Sequence, residues 1–385
     1  MKDRPIYLDN HATTPVDPLV LEAMLPYFTE NFGNAGSAGH SYGWEAAAAV
    51  KQAREAIAQS INAAPEEIIF TSGATESNNL ALKGIAEAYF SQGRHIITVQ
   101  TEHRAVLDPC AYLETLGFEV TYLPVQPDGL LELDFLEKAI RPDTVLVSVM
   151  AANNEIGVLQ PIDKIGAICH EKNVLFHCDA AQAIAKAPID VQAQNIDLLS
   201  LTAHKIYGPK GIGALYVRRK NPRVNLAAQL HGGGQEREKR SGTLYVPQIV
   251  GFGKAVEIAL ANQPEENERL KHLRDRLWNK LQNIPNCTLN GDFSQRLPHN
   301  LNISFADIDG ASLLLGLRHT VALSSGSACS SGKPSHVLQA IGRTTAECQA
   351  SLRFGIGRTS TIADIDQVAI AVQKTVTSLR QMSAD

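Results

Sequence analysis

Short apolar runs alternate with helix-length segments over the first two thirds of this chain, and that alternation constrains the fold more than any other feature. Residues 68–70, His95–Val99, 144–149, 174–177 and 197–201 read as strands. Most are almost continuously apolar, as strands buried on both faces must be. Segments long enough for helices, such as 161–172, separate them. The expectation is a mainly parallel sheet with helices on both faces. After Pro247 the pattern changes. Residues 251–261 and 265–282 read as two helices, Asn300–Phe305 as a strand and 362–381 as a closing helix, which predicts a smaller α+β domain with a boundary near residue 260. There is no internal repeat and no low-complexity linker.

Composition excludes several function classes. A hydrophobic content of 44% and a charged content of 19% over 385 residues describe an ordinary globular chain. The net charge of −5 provides no basic field for nucleic acid. No stretch approaches the roughly 20 apolar residues of a membrane span. Met1-Lys2-Asp3-Arg4-Pro5 runs directly into Ile6-Tyr7-Leu8, without the apolar core of a signal peptide or an Arg/Ser-rich transit segment, so a cytoplasmic location is expected. Of the six cysteines none lies in a CxxC, so no zinc ribbon or thioredoxin-like motif is present. Cys110, Cys169, Cys178, Cys287 and Cys348 fall in helix- or strand-like contexts and read as small buried hydrophobes. His177-Cys178 is a poor chelate if it lies in a strand, because adjacent side chains point to opposite faces. No intrinsic metal site is expected.

In open α/β sheets ligands bind beyond the carboxyl ends of the strands. Five strand candidates are followed there by polar clusters: Ser72-Gly73-Ala74-Thr75-Glu76, Glu102-His103, Asn153-Asn154-Glu155, Asp179-Ala180-Ala181-Gln182 and Thr202-Ala203-His204-Lys205. One such cluster is unremarkable; five suggest a single site assembled on one rim.

The residue types point to a chemistry. A lysine taken at random is a surface residue, but Lys205 ends an apolar run and precedes the turn Ile206-Tyr207-Gly208-Pro209-Lys210-Gly211. A lysine held in a partly apolar cleft can form a Schiff base. Asp179 sits one βα unit earlier, where a pyridoxal cofactor needs a carboxylate against its ring nitrogen; the alternative is a helix N-cap. The turn 72–75 offers a helix N-terminus to a phosphate or is simply a capped helix. Thr202 and His204 are further phosphate-donor candidates. His103 is suited to stack on a ring and exchange protons, or is structural. Arg353 can grip a carboxylate in bidentate fashion, with a surface salt bridge as the alternative and Arg358 as competitor. Cys329, within Ser324-Ser325-Gly326-Ser327-Ala328-Cys329-Ser330-Ser331-Gly332, sits in a Ser/Gly-rich loop where a cysteine is a poor core residue and a plausible nucleophile.

These residues lie in a longer series of motifs. It begins with Tyr7-Leu8-Asp9-Asn10-His11-Ala12-Thr13-Thr14-Pro15 and Thr71 through Asn79. Asn153-Asn154-Glu155-Ile156-Gly157 and Ala203 through Gly211 continue it, and Arg240-Ser241-Gly242-Thr243 and Ser325 through Cys329 complete it. Over essentially its whole length the chain resembles the cysteine desulfurases of the NifS/IscS type, within the fold-type I, class V aminotransferase group of pyridoxal 5'-phosphate (PLP) enzymes.

The resemblance implies a mainly parallel seven-stranded sheet in a large PLP-binding domain, residues 15–260. A small α+β domain, 1–14 with 261–385, carries the cysteine loop. It implies PLP held as a Schiff base on Lys205 and contacted by Ala74, Thr75, His103, Asn154, Asp179, Thr202 and His204, with Gln182 on the phenolic oxygen. Arg353 and Asn154 would hold the carboxylate of L-cysteine. Lys205 would take the Cα proton, His103 would exchange protons near the thiol, and Cys329 would receive sulfur as a persulfide while alanine is released. Thr243 would reach the phosphate of a neighbouring subunit, implying a homodimer. The sulfur would pass to an iron–sulfur scaffold protein or a tRNA-thiolation relay, and Cys329 would be a candidate ligand for a transferred cluster. A selenocysteine lyase or a PLP aminotransferase on the same fold is the alternative enzyme, and a non-catalytic PLP-binding docking protein the alternative of another class. Ala35 after Asn34, Gly355 after Arg353-Phe354, and the pair Glu238-Lys239 depart from the family's usual pattern.

Overall fold

The structure is a computed structural model and describes residues 4–325 and 334–384. In chain order the elements are β1 (Ile6–Tyr7), α1 (Pro18–Met24), α2 (Pro26–Thr29), α3 (Ser41–Gln59), β2 (Ile68–Thr71), α4 (Ala74–Ala88), β3 (His95–Val99), α5 (Arg104–Thr115), β4 (Glu119–Leu123), α6 (Leu133–Ala139), β5 (Thr144–Ser148), α7 (Ile162–Glu171), β6 (Leu175–Asp179), β7 (Leu198–Thr202) and β8 (Gly213–Val217). Then follow α8 (Val246–Leu281), β9 (Cys287–Leu289), β10 (Asn300–Phe305), α9 (Gly310–Leu317), β11 (Val321–Ala322), α10 (His336–Ala340), α11 (Thr345–Gln349), β12 (Ser351–Gly355) and α12 (Ile362–Ala384).

Seven strands form one sheet in the order β2-β8-β7-β6-β5-β3-β4. Only β8 runs against its neighbours; the other six point the same way. Their carboxyl ends therefore share one rim, as the alternating pattern predicts. Strands β3, β5 and β7 are buried at every position, which explains why they read as unbroken apolar runs. A polar line crosses the sheet interior, where His177 bonds Ser148 Oγ at 2.8 Å and Ser200 Oγ at 3.0 Å. Burial pushes the imidazole down to about 3, so it is a neutral, fully bonded core group and not a metal ligand. Cys110, Cys169, Cys178 and Cys348 are buried and Cys287 half-buried. Among the described residues no group of His, Cys, Asp or Glu is arranged to hold a metal, and no helix is long and apolar enough to cross a membrane.

The two helices expected at 251–261 and 265–282 are one helix, α8, with Pro264 in its interior. Proline removes a single backbone hydrogen bond. Both flanks are held by packing, so the helix continues through it. Phe252, Ala255 and Val256 belong to the core under the large sheet, and Gly253 lies so close to Ala53 of α3 that a Cβ would fall 2.7 Å from its Cα. Leu270, Leu273, Leu277 and Leu281 belong to a second core with Leu301, Ile303, Leu352, Phe354 and the apolar face of α12. That core surrounds the antiparallel sheet β12-β10-β9. The N-terminal strand joins this second body, with β1 parallel to β11 and Leu8 in its core.

Candidate active site

The strand ends and the second body enclose a cavity of about 270 Å³. Ala74, Thr75, His103, Asn154, Asp179, Gln182, Thr202, His204, Lys205 and Arg353 all line it. Of the residues expected from the sequence, Thr243 is exposed and is not among the lining residues, and Cys329 lies outside the described residues.

Asp179 is the last residue of β6 and is 5% exposed. One carboxylate oxygen accepts the Ala181 N–H at 2.9 Å and the other accepts Asn78 Nδ2 at 2.7 Å. Turns, not a helix, occupy 181–186, so the side chain caps a turn with one oxygen while the second reaches α4. Glu102 nearby is fully buried, and burial together with the charge of Asp179 raises its carboxyl well above the usual range. Its Oε1 accepts the Met150 N–H at 2.6 Å.

His103 caps α5, its Nδ1 accepting the Ala105 N–H at 3.0 Å. The neutral ring therefore carries its hydrogen on Nε2. Burial lowers its pKa; the charge of Asp179 opposes this and that of Lys205 adds to it.

At the other end of the cavity Gly73 precedes α4 with φ +150°, a conformation that favours glycine. The first-turn N–H groups of a helix have no intrahelical partners, and here they belong to Ala74 and Thr75. The approach is close: a Cβ on Gly213 would lie 2.6 Å from Gly73 Cα. Glu76 binds Arg240 at 2.7 Å, which pins the segment leading to Thr243 against this helix start. His204 Nδ1 lies 3.2 Å from Thr13 Oγ1, and burial, reinforced by Lys205 and Lys210, lowers its imidazole to about 4.

Lys205 ends a 3₁₀ turn that follows β7 directly. Its Nζ donates to the carbonyl of His11 and, at 2.7 Å, to that of Ala12. Those carbonyls belong to a strap fastened to the same turn, where Thr14 N and Oγ1 both donate to the His204 carbonyl at 3.0 Å.

The two arginines separate clearly. Arg358 binds Asp17 at 2.7 Å and Glu266 at 3.1 Å and lies over the Tyr207 ring at 4.1 Å, a structural tie. Arg353 is 2% exposed and lines the cavity. Its Nη1 donates to the Asn154 carbonyl at 2.9 Å and its Nη2 to Asp9 at 2.8 Å, while its buried Nε–H has no partner among the described residues. Donor capacity remains for an incoming carboxylate.

The flanks of the Cys329 segment reach this site. Ser324 Oγ donates to Asp9 at 2.9 Å, beside Arg353. Ser335 Oγ donates to the buried Glu155 at 2.5 Å, and His336 lines the cavity. The sequence reading gave no role to His11, Ala12, Asn78, Met150 or His336, all of which line the cavity. The polar run Asp9-Asn10-His11, one residue beyond β1, is the local signal for the first of these, and nothing local says that it crosses to the sheet rim.

The arrangement fits pyridoxal phosphate: helix N–H donors at one end, a buried carboxylate at the other, a lysine and an imidazole between, and two buried atoms, Asn78 Oδ1 and Arg353 Nε, without a partner among the described residues. The family model for class-V aminotransferases matches residues 6–368. Cysteine desulfurase IscS of Methylococcus capsulatus is 55% identical over 381 residues, covering 98% of this chain and 94% of that protein. The mitochondrial cysteine desulfurase of Arthroderma benhamiae is 53% identical, covering 99% and 76%. Among solved structures, a NifS-like protein superposes with TM-score 0.91 at 38% identity over 97% of this chain and all of the other. SspA in complex with cysteine gives 0.81 at 42% identity over 91% and 98%. The chain belongs to the class-V aminotransferases, a family of pyridoxal-phosphate-dependent enzymes, and within it to the cysteine desulfurases.

Proposed function

We propose that this protein converts L-cysteine to L-alanine and takes the sulfur onto Cys329 as a persulfide. The observation that carries this reading is the convergence of Lys205, Asp179, His103 and Arg353 on one cavity, with both flanks of the Cys329 segment at its edge. When bound, pyridoxal phosphate supplies an electron sink for the electrons released at the substrate Cα.

The protein's own groups do the rest. The first turn of α4, with Thr202 and His204, would hold the phosphate and Gln182 the phenolic oxygen, and Asp179 would keep the ring nitrogen protonated. Asn154 would contact both cofactor and substrate. Arg353 fixes the substrate carboxylate, and Lys205 Nζ moves the Cα proton. The Cys329 thiolate attacks the substrate sulfur: an S–S bond forms, the Cβ–S bond breaks, and its electron pair stays with the carbon skeleton, which takes up protons and leaves as alanine. His103 exchanges the proton near the thiol. From the persulfide the sulfur goes to an iron–sulfur scaffold or a tRNA-thiolation relay in the cytoplasm.

A homodimer is part of the same reading. Leu19, Leu21, Leu25, Phe28, Phe32, Tyr42, Trp44 and Tyr245 are exposed large apolar side chains, and Phe28 meets Tyr245 edge-on at 6.2 Å. Such a surface calls for a cover. Tyr245 follows Thr243 by two residues, so a second copy seated there carries its own Thr243 toward the neighbouring phosphate site. Two domains, 15–260 and 1–14 with 261–385, suit the two separate cores.

The deciding experiment incubates the protein with L-cysteine and a reductant and assays alanine and sulfide together, with Cys329→Ser as control. Equal amounts of both, lost in the control, support the proposal. A keto acid in place of alanine points to transamination, and sulfide release undiminished in the control removes Cys329 from its role.

A further inference from the structure

A buried hydrogen-bond chain runs from the second body to the cavity, and its polarity is fixed at both ends. Arg296 Nη1 donates to Asn300 Oδ1 at 3.2 Å. A guanidinium only donates, so the amide nitrogen of Asn300 is the group turned the other way. That nitrogen donates to the Glu155 carbonyl at 3.1 Å and lies 3.0 Å from His11 Nε2. An amide N–H₂ cannot accept, so His11 Nε2 is the acceptor and the hydrogen of the neutral ring sits on Nδ1. His11 Nδ1 lies 3.1 Å from Gln182 Oε1 and donates to it. The far end gives the same answer, because Gln182 Nε2 donates to the His11 carbonyl, an obligate acceptor, at 3.0 Å. Gln182 thus has its oxygen engaged by His11, and its amide nitrogen keeps a second hydrogen.

The surroundings hold His11 neutral. It is 1% exposed and stacks on His299 with ring centroids 4.4 Å apart. Lys186 Nζ is 3.0 Å from His299 Nε2, and Arg353, Lys186 and Lys205 all place positive charge near the His11 ring. Burial first and these charges next push its pKa well below the ordinary value; the Gln182 bond opposes them. With a neutral ring and an Nε2 that must accept, only one tautomer satisfies the chain.

We propose that His11 is a positioning residue that locks the Gln182 amide with an N–H toward the cavity, so that this side chain donates to the phenolic oxygen of the cofactor and never presents its carbonyl. The inference rests on the assignment of this cavity to pyridoxal phosphate and of Gln182 to its phenolic oxygen. Without the lock the two amide orientations differ little in shape, and the wrong one sets an oxygen against an oxygen. Gln182 gives the specific contact; His11 gives its direction.

A donor on the phenolic oxygen stabilises that oxygen most when the neighbouring Schiff-base nitrogen is uncharged, so losing it raises the pH at which the nitrogen loses its proton. The test is a pH titration of the visible absorbance of the cofactor-bound protein. His11→Phe keeps the ring and its stack on His299 but has no donor, and Gln182→Leu removes the contact itself. Both are expected to raise the midpoint by about one unit. His11→Asn, whose amide nitrogen branches from the same carbon as Nδ1, is expected to restore the wild-type midpoint. His11→Leu repeats the loss if the Phe variant does not fold. A wild-type midpoint in His11→Phe or His11→Leu beside a shifted one in Gln182→Leu overturns the role of His11 and leaves the cofactor assignment standing. An unshifted midpoint in Gln182→Leu overturns the proposal through Gln182, and a wild-type protein that takes up pyridoxal phosphate without any visible band overturns the cofactor reading beneath it.

Discussion

Asn78 Nδ2 donates to Asp179 Oδ2 over 2.7 Å, joining the helix that starts at Gly73 to the carboxylate that ends β6. The bond ties the phosphate end of the cavity to its carboxylate end and fixes the plane of the Asp179 side chain. Asp179→Asn removes the charge and is expected to lower turnover at least ~100-fold. Asn78→Ala leaves the charge but releases its orientation, with a smaller fall of roughly tenfold for a loss of about 1–2 kcal/mol. Steady-state alanine formation by the cofactor-saturated variants checks both.

Lys205→Ala is expected to abolish both the visible absorbance and alanine production. Cys329→Ser is expected to retain the absorbance while persulfide, measured by trapping with an alkylating reagent, disappears. A Cys329→Ser protein that still forms persulfide at the wild-type rate places the acceptor on another cysteine. All five others are poor candidates, since burial raises the thiols of Cys110 and Cys169 to about 12 and those of Cys287 and Cys348 to about 11, and that of Cys178 well above its usual value.

Arg353→Lys replaces a planar fork with a point charge at a buried site that also holds Asp9 and the Asn154 carbonyl. KM for L-cysteine is expected to rise roughly 10- to 100-fold, with kcat changed less. An unchanged KM assigns Arg353 to the framework alone.

Glu155 has a carboxyl raised by burial to about 7, with Ser335 and Arg353 opposing the rise. Below the ordinary carboxylate range folded and unfolded chains are both protonated. Between there and about 7 the unfolded chain ionises while the folded one holds its proton, so stability falls as pH rises through this window. Glu155→Gln removes this loss. Its unfolding free energy relative to wild type, from chemical denaturation, is expected to climb between pH 5 and 8, toward a difference on the order of 3 kcal/mol. A difference independent of pH contradicts the assignment.

Glu236, Arg237 and Glu238 have φ of 48°, 57° and 64°, three consecutive side-chain-bearing residues in the left-handed region. What holds them is Glu236, which pairs both oxygens with Arg54 at 2.6 and 2.8 Å and takes the Phe70 N–H at 2.8 Å. Glu238→Gly is expected to stabilise the protein by about 1 kcal/mol, and Glu236→Ala to destabilise it by about 2–3 kcal/mol by leaving the half-buried Arg54 charge with the Ile68 carbonyl but no carboxylate. Chemical denaturation measures each.

The sequence by itself determined the sheet and the rim. Unbroken apolar runs such as Thr144–Ser148 and the polar groups at their ends are local signals, because burial on both faces and the strand-end position are properties of contiguous residues. Lys205, Asp179 and His103 stood out for the same reason, aided by motifs that run with them along the chain. Only the tertiary structure decided that α8 passes unbroken through Pro264, since packing against two cores outweighs one lost hydrogen bond. It alone separated Arg353 from Arg358, whose partners Asp9, Asp17 and Glu266 are distant in sequence. It alone brought His11 to Gln182, across 171 residues, through a strap whose course depends on β1 pairing with β11 in the second body. Contacts of that kind leave no periodicity in the sequence, because neither partner's neighbours differ for having made them.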